Sequence, residues 1–153
     1  MIKTKNILII VFIVLIISIV ILFIYNSNKK IHLADKYYNS GEYIKIDHNY
    51  LTKIEKENYL LFTYNSYCTF KIPCDKVFKE TMDKYKIDIV SMPIEEFKKT
   101  KFYKKVEYAP SVIIVKKGKV KAFLDPNSNE DLDKYQKSLE FEKWLDKYIY
   151  LEK

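Results

Sequence analysis

The chain contains two cysteines, Cys68 and Cys74, separated by five residues, and Pro73 directly precedes the second. From Asp75 onward the apolar residues Val77, Phe78, Met82 and Tyr85 fall at helical spacing, which predicts that Cys74 sits at or near a helix start. A thiol there meets unpaired backbone N–H groups and the positive end of the helix dipole. Both favour thiolate over thiol, the form that attacks a disulfide. By that argument Cys74 is the better acid. Accessibility points the other way. Cys68 follows the break Asn65-Ser66 and lies on a loop that a substrate can reach, while Val77 and Phe78 draw the start of the helix inward. Three chemistries remain open for the pair: a redox-active dithiol, a structural disulfide closing the loop, or two unlinked thiols. A metal clip is disfavoured, because His32 and His48 are distant in sequence and a four-ligand site needs more donors. Neither metal nor cofactor is expected.

The elements that must position these thiols can be read around them. The aromatic and apolar run Tyr59 to Tyr64 is a buried strand leading to Cys68. Ahead of it, Tyr43 to Asp47 alternates as a first strand, and Asp47 or Asn49 can cap a helix through about Glu57, with Leu51 and Ile54 inward. Ile87 to Met92 is a third strand closed by Pro93, and Ile94 to Lys105 is expected to be helical. Ala109-Pro110-Ser111 opens the β-branched strand Val112 to Val115. Lys116 to Lys119 turns it into a return strand, Val120 to Leu124. A loop at 126–129 precedes a long terminal helix, Glu130 to about Ile149, with Leu132, Tyr135, Leu139, Trp144, Leu145 and Tyr148 as its apolar face. The order is β-α-β-α-β-α-β-β-α.

At 153 residues the chain holds one domain plus an appendage. All 27 basic residues are lysine, and with abundant Ile, Asn and Tyr this points to an AT-rich bacterial genome. The net charge of +7 is concentrated in Lys3, Lys5, Lys29 and Lys30; elsewhere 23 lysines stand interspersed with 20 acids. That pattern is a solvated surface, and no nucleic-acid partner is expected. Between the basic flanks, Ile7 to Tyr25 is apolar apart from Ser18, and matches the ~20 residues that cross a bilayer core. No Ala-x-Ala cleavage site follows, and no cysteine stands where a lipoprotein signal needs one. The expected organisation is a signal anchor at 1–30 with a single transmembrane helix at 7–25, a tether at 31–42, and a folded domain at 43–153. The favoured topology holds the N-terminus inside and places the domain on the extracytoplasmic side of the cell membrane.

In this order the residues resemble the thioredoxin superfamily. Leu60-Leu61-Phe62 leads to the aromatic Tyr67 immediately before Cys68, as a strand and an aromatic residue precede the first cysteine of the family. Pro73-Cys74 is similar to the Pro-Cys that closes the family's Cys-Gly-Pro-Cys motif, and a helix follows. Ala109-Pro110-Ser111, the apolar strand and Lys117-Gly118-Lys119 resemble the family's proline, strand and turn, and Phe141 to Leu145 resembles its terminal helix. The resemblance implies an α/β thioredoxin-like fold, a central mixed sheet flanked by helices, here preceded by the transmembrane helix. It also implies that Cys68 attacks and Cys74 resolves, that Pro110 is a cis-proline, and that Tyr67, Pro73, Ala109 and Pro110 border the bound substrate. The function implied is a membrane-tethered thiol–disulfide oxidoreductase acting on exported proteins, re-poised by an unidentified redox partner. The alternative is a non-catalytic accessory domain of a membrane complex with a structural disulfide. The chain departs from the family in the spacing Cys-x5-Cys, where the family has two residues, and no residue is matched to the family's buried carboxylate.

Overall fold

The computed structural model describes residues 4–65 and 73–153; in the first helix, side chains are described from Ile9 to Ile21. Tyr67 and Cys68 therefore lie outside the described residues. Five strands form one sheet in the order β1-β3-β2-β4-β5. They are β1 (Tyr43–Lys45), β2 (Asn58–Tyr64), β3 (Ile89–Pro93), β4 (Ser111–Lys116) and β5 (Lys119–Phe123). β1 and β2 both run parallel to β3, while β4 is antiparallel to β2 and β5 antiparallel to β4. The central position of β2 follows from its composition. Five consecutive residues, Tyr59 to Thr63, are buried, so both faces need cover. The β-branched core of β4 is buried in the same way and fits between two neighbours.

A parallel β2–β3 pair needs a crossover, and α3 (Cys74–Tyr85) supplies it. Its buried residues, Cys74, Val77, Phe78, Thr81 and Met82, form one stripe at helical spacing. Phe78, fully buried, is the hub of that face: its ring centroid lies 5.6 Å from Phe62, 5.8 Å from Tyr135 and 4.4 Å from Phe141. The opposite face of the sheet is covered by α2 (Tyr50–Lys53), α4 (Ile94–Phe97) and a 3₁₀ turn at Lys101–Lys104, through the buried Leu51, Ile54, Phe97 and Phe102. Asn49 occupies the N-cap position of α2, and the Asp47 carboxylate accepts the Tyr50 amide at 3.0 Å.

Three expectations change. The helix expected over Ile94–Lys105 is broken, because Thr100 competes with the backbone: its hydroxyl donates to the Phe97 carbonyl at 2.8 Å and accepts the Phe102 amide. The long terminal helix is split into α5 (Leu132–Gln136) and α6 (Ser138–Tyr148), with Lys137 extended between them and Leu139 turned out to solvent. The segment 31–42, expected as a tether, is part of the domain. Ile31, Leu33 and Tyr37 are buried in the core, and the Ile31 amide donates to Tyr148 while its carbonyl accepts from Tyr150, at 2.9 and 3.0 Å. Apolar residues at 31, 33 and 37 gain more from burial than a solvated linker would allow.

The N-terminal helix α1 runs Thr4–Asn28, and every residue from Ile9 to Ile21 is exposed. Among the described residues no helix is long and apolar enough to cross a membrane. The expected span, 7–25, extends beyond the described side chains at both ends.

Candidate active site

Cys74 is the first residue of α3 and is 3% exposed. Pro73 precedes it with φ −58°, a backbone angle its ring fixes in advance, and its carbonyl accepts the Lys76 amide at 3.1 Å. Across the sheet, the Ala109–Pro110 peptide is cis. Cys74 and the buried Pro110 line one cavity of about 350 Å³ at the end of β2. Pro73 and Ala109 flank the two lining residues in sequence but do not line the cavity. Tyr67 and Cys68 belong to the segment outside the described residues.

The walls of the cavity are aromatic. Phe62 and Tyr64 stand two residues apart on β2 and so share one face of the sheet. Tyr43 of β1 completes the wall, its ring 5.6 Å from Phe62. The Tyr43 hydroxyl donates to the Asp75 carbonyl at 2.9 Å, tying β1 to the first turn of α3. Burial first, and then the nearby Asp75 carboxylate, holds the Tyr43 phenol well above its ordinary range. The phenol is therefore a proton donor at any physiological pH. Lys45 and Asp75 supply the charges at the rim.

Tyr135 fixes the other side. Its hydroxyl, on a fully buried ring, lies 2.8 Å from the Pro110 carbonyl and 2.9 Å from that of Leu124. Burial, only partly offset by a hydrogen bond with Ser111, keeps that phenol protonated too. Next to Pro110, the fully buried Ser111 donates to the Tyr108 carbonyl at 2.8 Å, holding the turn that enters β4.

Asp88 is the buried carboxylate among the described residues. It is occupied at the start of β3, where it accepts the Gly41 and Glu42 amides at 2.8 Å each. No buried carboxylate borders Cys74 among the described residues. No group of three or more His, Cys, Asp or Glu side chains among the described residues could hold a metal ion.

Sequence reasoning passed over Tyr43, Phe62, Tyr64 and Tyr135 as parts of this site. The period-2 placement of Phe62 and Tyr64 was the available signal. Nothing local in the sequence links Tyr135 to Pro110.

No protein-family model and no curated protein matches the chain. Among solved structures, thioredoxin F from spinach chloroplast (long form) superposes with a TM-score of 0.50 at 14% identity, covering 77% of this chain and 98% of that one. A thioredoxin pre-protein of Schistosoma mansoni, in reduced form, matches at TM-score 0.46 and 18% identity over 71% of this chain and 99% of its own. Thioredoxin O2 of Arabidopsis thaliana, oxidised, matches at 0.46 and 13% over 68% and 91%. The fold of this chain is thioredoxin-like.

Proposed function

We propose that this protein is a membrane-tethered thiol–disulfide oxidoreductase that acts on exported proteins through Cys68 and Cys74. The observation that carries the reading is the meeting of Cys74, at the N-terminus of α3, with the cis-Pro110 turn in one aromatic-walled cavity. The chemistry balances with the residues at hand. The Cys68 thiolate attacks a client disulfide, one client sulfur leaves as thiolate and takes a proton, and a mixed disulfide forms. Cys74 thiolate then attacks the Cys68 sulfur, releasing the second client thiol. Two electrons have passed to the client, and a dithiol partner must reduce the Cys68–Cys74 disulfide; run in reverse, the same steps oxidise a client. The tether is the apolar run from Ile7 to Tyr25, exposed on all sides where its side chains are described, which suits lipid rather than water.

The test uses the full chain in lipid nanodiscs. Insulin reduction with dithiothreitol as donor should be accelerated by the wild type and abolished by Cys68→Ser and by Cys74→Ser. Equal rates for all three would assign the cysteines to structure, as in an accessory domain. Protease added to intact spheroplasts should digest residues 31–153; full protection would overturn the extracytoplasmic placement.

A further inference from the structure

The apolar run proposed as the membrane span ends at Tyr25, and α1 continues only to Asn28. Ile31 is already a core residue, so Lys29 and Lys30 are all that separates the helix from the domain. The step from Asn28 to Ile31 spans at most about 11 Å. With 31–42 folded into the domain, no linker remains, and the pole of the domain that carries Ile31 is held at the level of the lipid headgroups.

That pole lies opposite the cysteine site. The Ala34 amide donates to the Asn58 carbonyl, and the Asn58 side chain donates to the His32 carbonyl, both at 2.8 Å. Asn58 opens β2, and Tyr64, on the wall of the cysteine cavity, closes it, so the two poles stand about 20 Å apart along the strand. The turn between β4 and β5 belongs to the pole of Asn58. Lys116 is the register partner of Asn58, and the Lys117 amide donates to the Glu57 carbonyl at 3.0 Å.

The charge of this pole is unbalanced. Its carboxylates Asp35, Glu55 and Glu57 are each paired with a lysine, Lys153, Lys101 and Lys36 respectively, and Lys30 pairs with Asp146. Lys29, Lys116, Lys117 and Lys119 form no ion pair among the described residues, and only Glu152 stands beside them without a lysine partner. Lys29, Lys117 and Lys119 are exposed. At an anionic bilayer surface each such lysine favours binding about fivefold. Tyr150, 41% exposed, stacks on His32 at the same pole, and tyrosine is a residue that settles at the membrane–water interface.

We propose that the domain docks on anionic lipid headgroups through Lys29 and the lysines of the β4–β5 turn, Lys116, Lys117 and Lys119, so that the cysteine site faces away from the bilayer. The proposal rests on the reading of Ile7 to Tyr25 as a membrane span. It defines a class of client: cysteines on polypeptide segments that stand clear of the membrane by about the length of β2 are within reach, and disulfides at the lipid surface are not.

The full chain is placed in nanodiscs of phosphatidylglycerol and phosphatidylcholine in equal parts, with a trace of lipid bearing a gadolinium chelate on its headgroup. Gadolinium broadens amide signals steeply with proximity. Loss of the Lys117, Gly118 and Lys119 signals is expected, with that of Tyr64 retained. The lost signals should return in discs of phosphatidylcholine alone, and in the triple variant Lys116→Gln, Lys117→Gln, Lys119→Gln. They should also return when salt rises from about 0.15 to about 1 M, which shortens the screening length from about 8 to about 3 Å. Loss at Tyr64 before Gly118, or equal loss across the domain, would overturn the orientation. Equal loss at the turn in neutral discs and in the triple variant would overturn the headgroup contact. A chain that elutes apart from the discs would overturn the membrane reading itself, and this proposal with it.

Discussion

Removing one oxygen from Tyr135 tests how the cysteine site is held. Its hydroxyl serves the carbonyls of Pro110 and Leu124, at 2.8 and 2.9 Å, from a ring with no exposed surface. Tyr135→Phe leaves the ring packing on Phe78 intact and strips the donor from a site water cannot enter. The hydroxyl has one proton, so the loss is that of one bond plus the stranding of buried carbonyls, about 1–3 kcal/mol. For a chain of this length each kcal/mol lowers Tm by about 2–4 °C. Trp144 is the single tryptophan and is 5% exposed, so its fluorescence reports unfolding of the domain directly. Melting of the full chain in nanodiscs should therefore show a clear drop for Tyr135→Phe and none for Tyr108→Phe, whose side chain is half exposed. At a temperature well below both transitions, insulin turnover should also fall, because the Pro110 carbonyl is no longer fixed. A Tyr135→Phe protein that melts within about 1 °C of wild type would refute the assignment of Tyr135 as the clamp on this turn.

Client trapping should be asymmetric: Cys74→Ser accumulates mixed disulfides through Cys68, Cys68→Ser few, as scored on non-reducing gels, and equal trapping would contradict the division into attacking and resolving thiols. At Asp88, burial opposes ionisation, but hydrogen bonds from Glu42, Ser40 and Asn39 outweigh it and hold the carboxyl below its ordinary range. The stability it contributes is therefore full above pH about 4 and drains as pH falls toward the depressed value. Asp88→Asn should cost about 1.5–3 kcal/mol at pH 7 and flatten that acid limb in urea titrations. Gly41, at φ +82°, carries its backbone into the left-handed region, and an added Cβ would meet the Met82 carbonyl oxygen at 2.8 Å; Gly41→Ala should destabilise by about 1–3 kcal/mol or more by the same measurement.

What the sequence made legible was whatever rests on local pattern. The buried run of β2, the β-branched run of β4 and the stripe Val77, Phe78, Met82 each declare their element by period and composition, and together they order the sheet. Pro110 was legible because proline alone makes a cis bond cheap. The breaks were not legible, since Thr100 and Lys137 interrupt helices through tertiary packing and side-chain bonds that periodicity does not carry. The membership of Ile31, Leu33 and Tyr37 in the core was hidden for the same reason: each meets partners far along the chain, and next to lysines they read as linker. The walls of the cysteine cavity combine β1, β2, α3 and the turn before β4, so the residues that stood out in advance were the cysteines with their neighbours Tyr67 and Pro73, and the Ala109-Pro110 pair, while the aromatic walls did not.

The pairing of Ile31 with Tyr148 and Tyr150 also sets an order of events in time. Ile31 leaves the ribosome early, but its backbone partners are made only after the whole sheet and α6 have been synthesised. Until then Ile31 and its neighbours Leu33 and Tyr37 have only part of their cover. The seam that joins the beginning of the domain to its end is a long-range closure, of the kind that forms slowly and late. A nascent chain stalled before residue 148 would hold the cysteines and the full sheet while its seam stood open, and proteolysis of such stalled chains would read out that interval.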